Sequence, residues 1–255
     1  MITREQLVQG TKQIHFKLLL NGGFGSGKTY TAMTFPKWAY AMVEPKGILT
    51  ARVNPNLLAN MVYYEEFVPS EQEDIKLTFQ RYSAFLKQAR LDAEAGKIET
   101  IIVDNLTHLM ENRWLYILKY ERQVGKSGSE DTRSMYGSLS RWAYRMTVME
   151  LLSVPCHVVL SAHVMEEEEE DPQTGKLTKT GQLMSNTLGS FRDKVGGLFN
   201  GNLFLEVQRM GANQYKFQAR CRPSGGKPAS NNLNLPELVE NISYQTLVQA
   251  LPKLT

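Results

Sequence analysis

The densest chemical signal in the chain is Gly22-Gly23-Phe24-Gly25-Ser26-Gly27-Lys28-Thr29, a G-x-x-x-x-G-K-[ST] pattern. Glycines at 22, 23, 25 and 27 let the backbone turn sharply and aim successive N–H groups at one point, which is how a loop holds phosphate oxygens. At this spacing Lys28 reaches the β- and γ-phosphates of a bound ATP, and the Thr29 hydroxyl is a ligand for Mg2+. Tyr30 ends the stretch expected to touch the nucleotide. Residues 16–20 form an apolar run suited to a buried strand, so the loop joins a strand to a helix as such a cradle requires. That context weighs against the plain alternative, a glycine-rich turn with a chance Lys-Thr pair.

Five further positions fit the same chemistry. Residues 100–104 read Thr-Ile-Ile-Val-Asp, a β-branched strand running into Asp104, where an acid holds Mg2+ through water. Hydrolysis also needs an acceptor for the proton of the attacking water. Asn105 cannot serve at neutral pH, and Glu44, at the end of the strand over 38–43, is the candidate; its alternative is a surface carboxylate in the turn before Pro45. His163 ends the strand over 157–163, either as a sensor of the γ-phosphate or as a histidine bonded to backbone. Arg220 and Arg222 flank one residue at the end of a strand, so a period of two points both to one side. They are either fingers reaching a neighbouring subunit's γ-phosphate or exposed basic residues in a loop.

These residues must be positioned by a scaffold. Its 255 residues suit one large α/β domain, with 1–14 as an N-terminal arm or short helix and 15–255 as the domain. Helices are expected over 29–34, stopped by Pro36, then over 75–89, 106–118, 135–152 and 244–251, the last capped by Ser243. Residues 48–72 show no period and read as irregular. The acidic run 166–171 belongs to a long exposed loop or hairpin, and 203–207 with 215–219 form a hairpin through 211–213. Alternating strands and helices that finish in a hairpin predict a mostly parallel sheet, flanked by helices, with a C-terminal antiparallel extension. In such a sheet, the loop, Glu44, Asp104 and His163 all follow carboxyl ends of strands and converge on one edge.

Composition bounds the partners. A net charge of +3 permits nucleic acid without demanding it. Cys156 and Cys221 show no metal-ligand or disulfide spacing, and no apolar run reaches membrane-spanning length, which together predict a cytoplasmic protein.

Taken in order, the phosphate loop, Phe35-Pro36-Lys37 before the strand ending in Glu44, Ile101-Ile102-Val103-Asp104-Asn105, and Val158-Val159-Leu160-Ser161-Ala162-His163 resemble the phage-type AAA-family ATPases with a RecA-like P-loop core. That group includes phage single-strand annealing and recombination ATPases. The resemblance implies Glu44 as the catalytic glutamate, Arg220 and Arg222 as paired fingers acting in trans, and a DNA-binding loop between 164 and 199. Departures are Asn105, where many relatives carry serine, and two arginines as fingers.

The expected activity is therefore ATP hydrolysis by a phage recombination protein that binds or anneals single-stranded DNA as a homo-oligomer, ring or filament. A phage or host single-strand-binding protein is a further expected partner. Lys126, Arg133, Lys176, Lys179, Arg192 and Lys194 are the candidate DNA contacts, since the acidic run repels phosphates. The alternatives are a nucleotide or small-molecule kinase and a nucleotide-switched structural or packaging partner with little turnover.

Overall fold

The computed structural model describes residues 14–45, 47–70, 73–122, 131–170, 172, 176–211 and 214–251. The arm expected over 1–14, apart from Ile14, lies outside them, as do Lys126 and the turn residues 212–213.

Four strands form the centre of a sheet because their sequences are apolar on both faces: β1 (Lys17–Asn21), β2 (Trp38–Met42), β4 (Thr100–Asp104) and β5 (His157–Ala162). With β3 (Met61–Glu66) and β8 (Gly201–Gly211) they run parallel in the order β8-β1-β5-β4-β2-β3. β9 (Gln214–Arg220) pairs antiparallel with β8, and β11 (Leu238–Glu240) pairs antiparallel with β9. β10 (Ser230–Asn231) adds a short antiparallel contact to the start of β8. The expected fold class holds: a mostly parallel sheet with an antiparallel C-terminal extension.

Helices cover both faces. α1 (Lys28–Met33), α2 (Gly47–Val53), α3 (Pro55–Leu58) and α8 (Tyr244–Ala250) contribute to one core together with Leu18, Leu20 and Tyr40. On the opposite face, α4 (Ile75–Glu94), α5 (Leu106–Tyr120) and α6 (Thr132–Arg145) pack with Leu19, Val103 and Leu160. Alternation along a strand explains the division, since Leu18 and Leu20 share a face and Leu19 takes the other. α7 (Arg192–Val195) is a single turn before β8.

Several boundaries correct the expectations. Residues 48–72 are not irregular: they hold α2, α3 and β3. β3 escapes a periodicity search because it is an edge strand of the sheet, and its side chains alternate between half-buried and exposed instead of buried and exposed. The helix expected over 135–152 is α6 continued by a π-helical segment over Met146–Leu152. The acidic run resolves as a hairpin of β6 (Val164–Glu170) and β7 (Leu177–Ser185). Ser243 caps α8 in a reciprocal capping box with Thr246. No helix among the described residues is long and apolar enough to cross a membrane.

Candidate nucleotide site

The phosphate loop leaves β1 beside β8, and its first glycine is required there. A Cβ on Gly22 would lie 2.6 Å from the Leu205 carbonyl oxygen, so only glycine lets the loop pass the neighbouring strand. The loop then delivers Lys28 and Thr29 to the start of α1. Lys28 is buried and its Nζ donates to the carbonyls of Gly22 and Gly23, each at 2.8 Å. Burial pulls its pKa down, and the carboxylates of Asp104 and Glu44 act against that fall.

Asp104 ends β4 directly opposite. Its Oδ2 accepts from the Thr29 hydroxyl at 2.6 Å and from the Tyr40 hydroxyl at 3.1 Å, while Ser161 Oγ donates to Oδ1. A carboxylate with three hydroxyl donors is fixed in place although nearly inaccessible to solvent. One consequence is visible at Tyr40, whose pKa is driven well above its ordinary value by burial and by Asp104.

Glu44 and His163 close the same end of the cleft. Glu44 Oε2 lies 3.3 Å from His163 Nε2 and accepts from Asn105 Nδ2. The hydrogen bond to His163 is the main influence holding the Glu44 carboxyl below the usual carboxylate range, against an opposing push from burial. Asn105 also caps α5, its Oδ1 accepting from the His108 N–H at 2.9 Å. His163 is positioned by its backbone N–H on Thr107 Oγ1 at 3.0 Å, lies 3.5 Å from Lys28 Nζ, and meets the ring of Phe24 at 4.2 Å between centroids.

Around these groups opens a cleft of about 740 Å³. Its floor is the loop and α1 from Phe24 to Thr31, its walls include Glu44, His163, Thr50 and Val53, and Phe217 with Asn241 stands on the remaining side. The residues fit a magnesium-bound nucleoside triphosphate. Thr29 and Asp104 offer the hard oxygens Mg2+ prefers, Lys28 offers a buried cation, and Ser26 Oγ is buried in the loop with no hydrogen-bond partner among the described residues. A second donor set, one atom each from Glu44, His108 and His163, falls within 4.8 Å, and the Asn105 amide is hydrogen-bonded to all three.

Residues 15–220 match the AAA domain family. The chain belongs to that family. As an AAA domain it has the nucleotide-binding ATPase fold, with Lys28 and Thr29 at the start of α1 and Asp104 at the end of β4. No curated protein matches the chain. Among solved structures, the assembled ATPase EscN from the type III secretion system of enteropathogenic E. coli is similar, with 14% identity and a TM-score of 0.46. The match covers 75% of this chain and 43% of that chain, so it spans less than half of EscN's length.

The structure thus brings the loop, Tyr30, Glu44, Asp104 and His163 to one cleft. It does not bring the two arginines there. Arg220 Nε donates to Glu206 Oε1 of its own chain at 3.0 Å, and Arg222 is exposed beyond the end of β9. Lys179 pairs with Glu166 at 3.2 Å across the acidic hairpin, and Arg192 Nε is bonded to the Thr187 carbonyl at 2.9 Å. Arg133 and Lys194 are exposed, Lys176 immediately precedes β7, and none of the five lines the cleft. Sequence reasoning missed Tyr40, Ser161 and Phe217. Ser161 carried a signal, as a hydroxyl inside an otherwise apolar buried strand two residues before His163.

Proposed function

We propose that this AAA domain hydrolyses ATP with Mg2+, Glu44 acting as general base. The observation that carries the reading is the 2.6 Å contact between the Thr29 hydroxyl and Asp104, which joins the phosphate loop to the acid at the end of β4. Mg2+, when bound, would supply positive charge that offsets the charge of the phosphates. The loop N–H groups and Lys28 bind and orient the phosphates, and Thr29 with Asp104 would hold the ion. Glu44, whose carboxyl His163 and Asn105 hold below the usual carboxylate range, takes the proton of the attacking water on its carboxylate. His163 lies between Lys28 and Glu44, where it can register the terminal phosphate and orient the base.

The reading extends to single-stranded DNA and to an oligomer. Its support is position: the β6–β7 hairpin begins one residue after His163, so the state of the phosphates is adjacent to the segment proposed to hold DNA. A turn over Gly189–Phe191 leads into α7, which carries Arg192 and Lys194, and it packs on α6, which carries Arg133. In an oligomer, Arg222 is the arginine free of the Glu206 pairing and the better finger for a neighbour's site.

Steady-state phosphate release with and without single-stranded DNA, across a salt series, tests this reading. Stimulation that fades as salt rises is expected. Hydrolysis indifferent to DNA at every salt concentration would remove DNA from the proposal and leave the ATPase.

A further inference from the structure

The groups for the terminal phosphate all lie on one side of β1. Asp104 ends β4, and Glu44 and His163 follow β2 and β5; these three strands lie on one flank of β1. The cleft continues to the other flank, where β8, β9 and β11 lie, and there its wall is Phe217 from β9 with Asn241 and Ile242 after β11. A triphosphate whose terminal phosphate meets Lys28 and Asp104 therefore has its nucleoside directed toward Phe217.

That wall is built for a flat heteroaromatic ring. Phe217 sits against the loop itself, since a Cβ on Gly27 would lie 2.9 Å from its Cδ1, yet 40% of the residue is exposed. An aromatic face at the rim of a phosphate cradle is a stacking platform, which accepts any base. Asn241 supplies what stacking lacks. Its backbone N–H donates to the Phe217 carbonyl at 2.8 Å, so the two residues are tied together. Its φ of 49° is a left-handed conformation that asparagine tolerates, and its exposed side chain makes no hydrogen bond among the described residues. A side-chain amide has one donor edge and one acceptor edge. Adenine matches both with its N6 amino group and N7, whereas guanine offers two acceptors at the equivalent positions and keeps one bond.

We propose that Phe217 and Asn241 form the base-reading wall of this site, Phe217 stacking on the base and Asn241 selecting adenine over guanine. The proposal rests on the nucleotide-binding reading above, and the experiment separates the two. Binding of ATP, GTP and inorganic tripolyphosphate to the full chain is measured by calorimetry for wild type, Phe217→Leu, Phe217→Ala, Asn241→Ala and Val53→Ala. Phe217→Leu keeps an apolar side chain against Gly27 while removing the ring face, so it guards against loss of folding.

The expected result is that both Phe217 variants weaken ATP and GTP alike by roughly tenfold and leave tripolyphosphate unchanged. Asn241→Ala is expected to reduce the preference for ATP over GTP several-fold. If ATP affinity survives Phe217→Leu, or if the loss follows Val53→Ala, the base lies against α2 and the proposal is wrong. Equal binding of ATP and GTP by wild type overturns the role of Asn241. Absence of tripolyphosphate and ATP binding by wild type overturns the nucleotide reading as well.

Discussion

Glu44 is poised by two neighbours of different kinds. Asn105 contributes a hydrogen bond that does not titrate, and His163 contributes the larger share of the pull that keeps the carboxyl ionised. Because the folded pKa is depressed, the base is already deprotonated at pH values where an ordinary carboxyl is half protonated. The acid limb of the kcat profile for ATP hydrolysis is then expected below the usual carboxylate range. Removing His163 by substitution with alanine withdraws the hydrogen bond while burial still pushes the pKa up, so that limb should move to higher pH. A pH–rate series on the two proteins measures it, and an unmoved limb would mean that His163 does not tune this base. Gly27 provides a second test at this scale. Its φ of 89° disfavours any side chain by about 1–2 kcal/mol, and an added Cβ also meets Phe217. Gly27→Ala should lower the melting temperature and weaken nucleotide binding, whereas Gly23→Ala, with nothing within 4 Å of the added Cβ, should leave stability close to wild type. Equal melting temperatures for the two variants would contradict the strained turn.

Among the elements, β1 and β5 meet α8 around a buried histidine. His157 Nδ1 accepts from the Phe16 N–H at 2.9 Å, and the rings of Phe16, Phe35 and Tyr244 surround it. Burial is the main cause that pushes its pKa down to about 4. In the unfolded chain the same group protonates near the ordinary value of about 6.5. The unfolded state therefore binds more protons between these values, and stability should fall as pH drops through that window, by an amount on the order of 2–3 kcal/mol. Urea unfolding at pH 7 and pH 5 checks this, and equal midpoints would contradict a neutral buried His157. The same elements show what the sequence makes legible. β1, β2, β4 and β5 were readable because strands buried on both faces are continuous apolar runs, and the loop and Asp104 were readable because phosphate and Mg2+ chemistry dictates their residue types. β3, β10 and β11 were not, being an edge strand and two very short ones whose existence depends on pairing partners far away in the chain. Phe217 was placed in a strand by its sequence. That its ring meets Gly27 depends on β8 lying beside β1, a fact of topology that no local pattern carries.

Over the whole molecule, the parallel sheet gathers groups scattered from Gly22 to His163 at one edge, and the C-terminal hairpin adds a wall across the other end of the cleft. The groups proposed for the phosphates thus come from residues 22–163, and the wall proposed for the base comes from residues 217–242. The central claim is that this gathered edge hydrolyses ATP through Glu44. The most direct test is Mg2+-dependent phosphate release from ATP by wild type and by Glu44→Gln, with ATP affinity measured on both. The account predicts turnover by wild type that chelation of Mg2+ abolishes. It predicts a loss of about 10²-fold or more in kcat for Glu44→Gln, with ATP affinity nearly unchanged. Undiminished turnover by Glu44→Gln would contradict the assignment of the base, and no phosphate release from wild type under any condition would contradict the account as a whole.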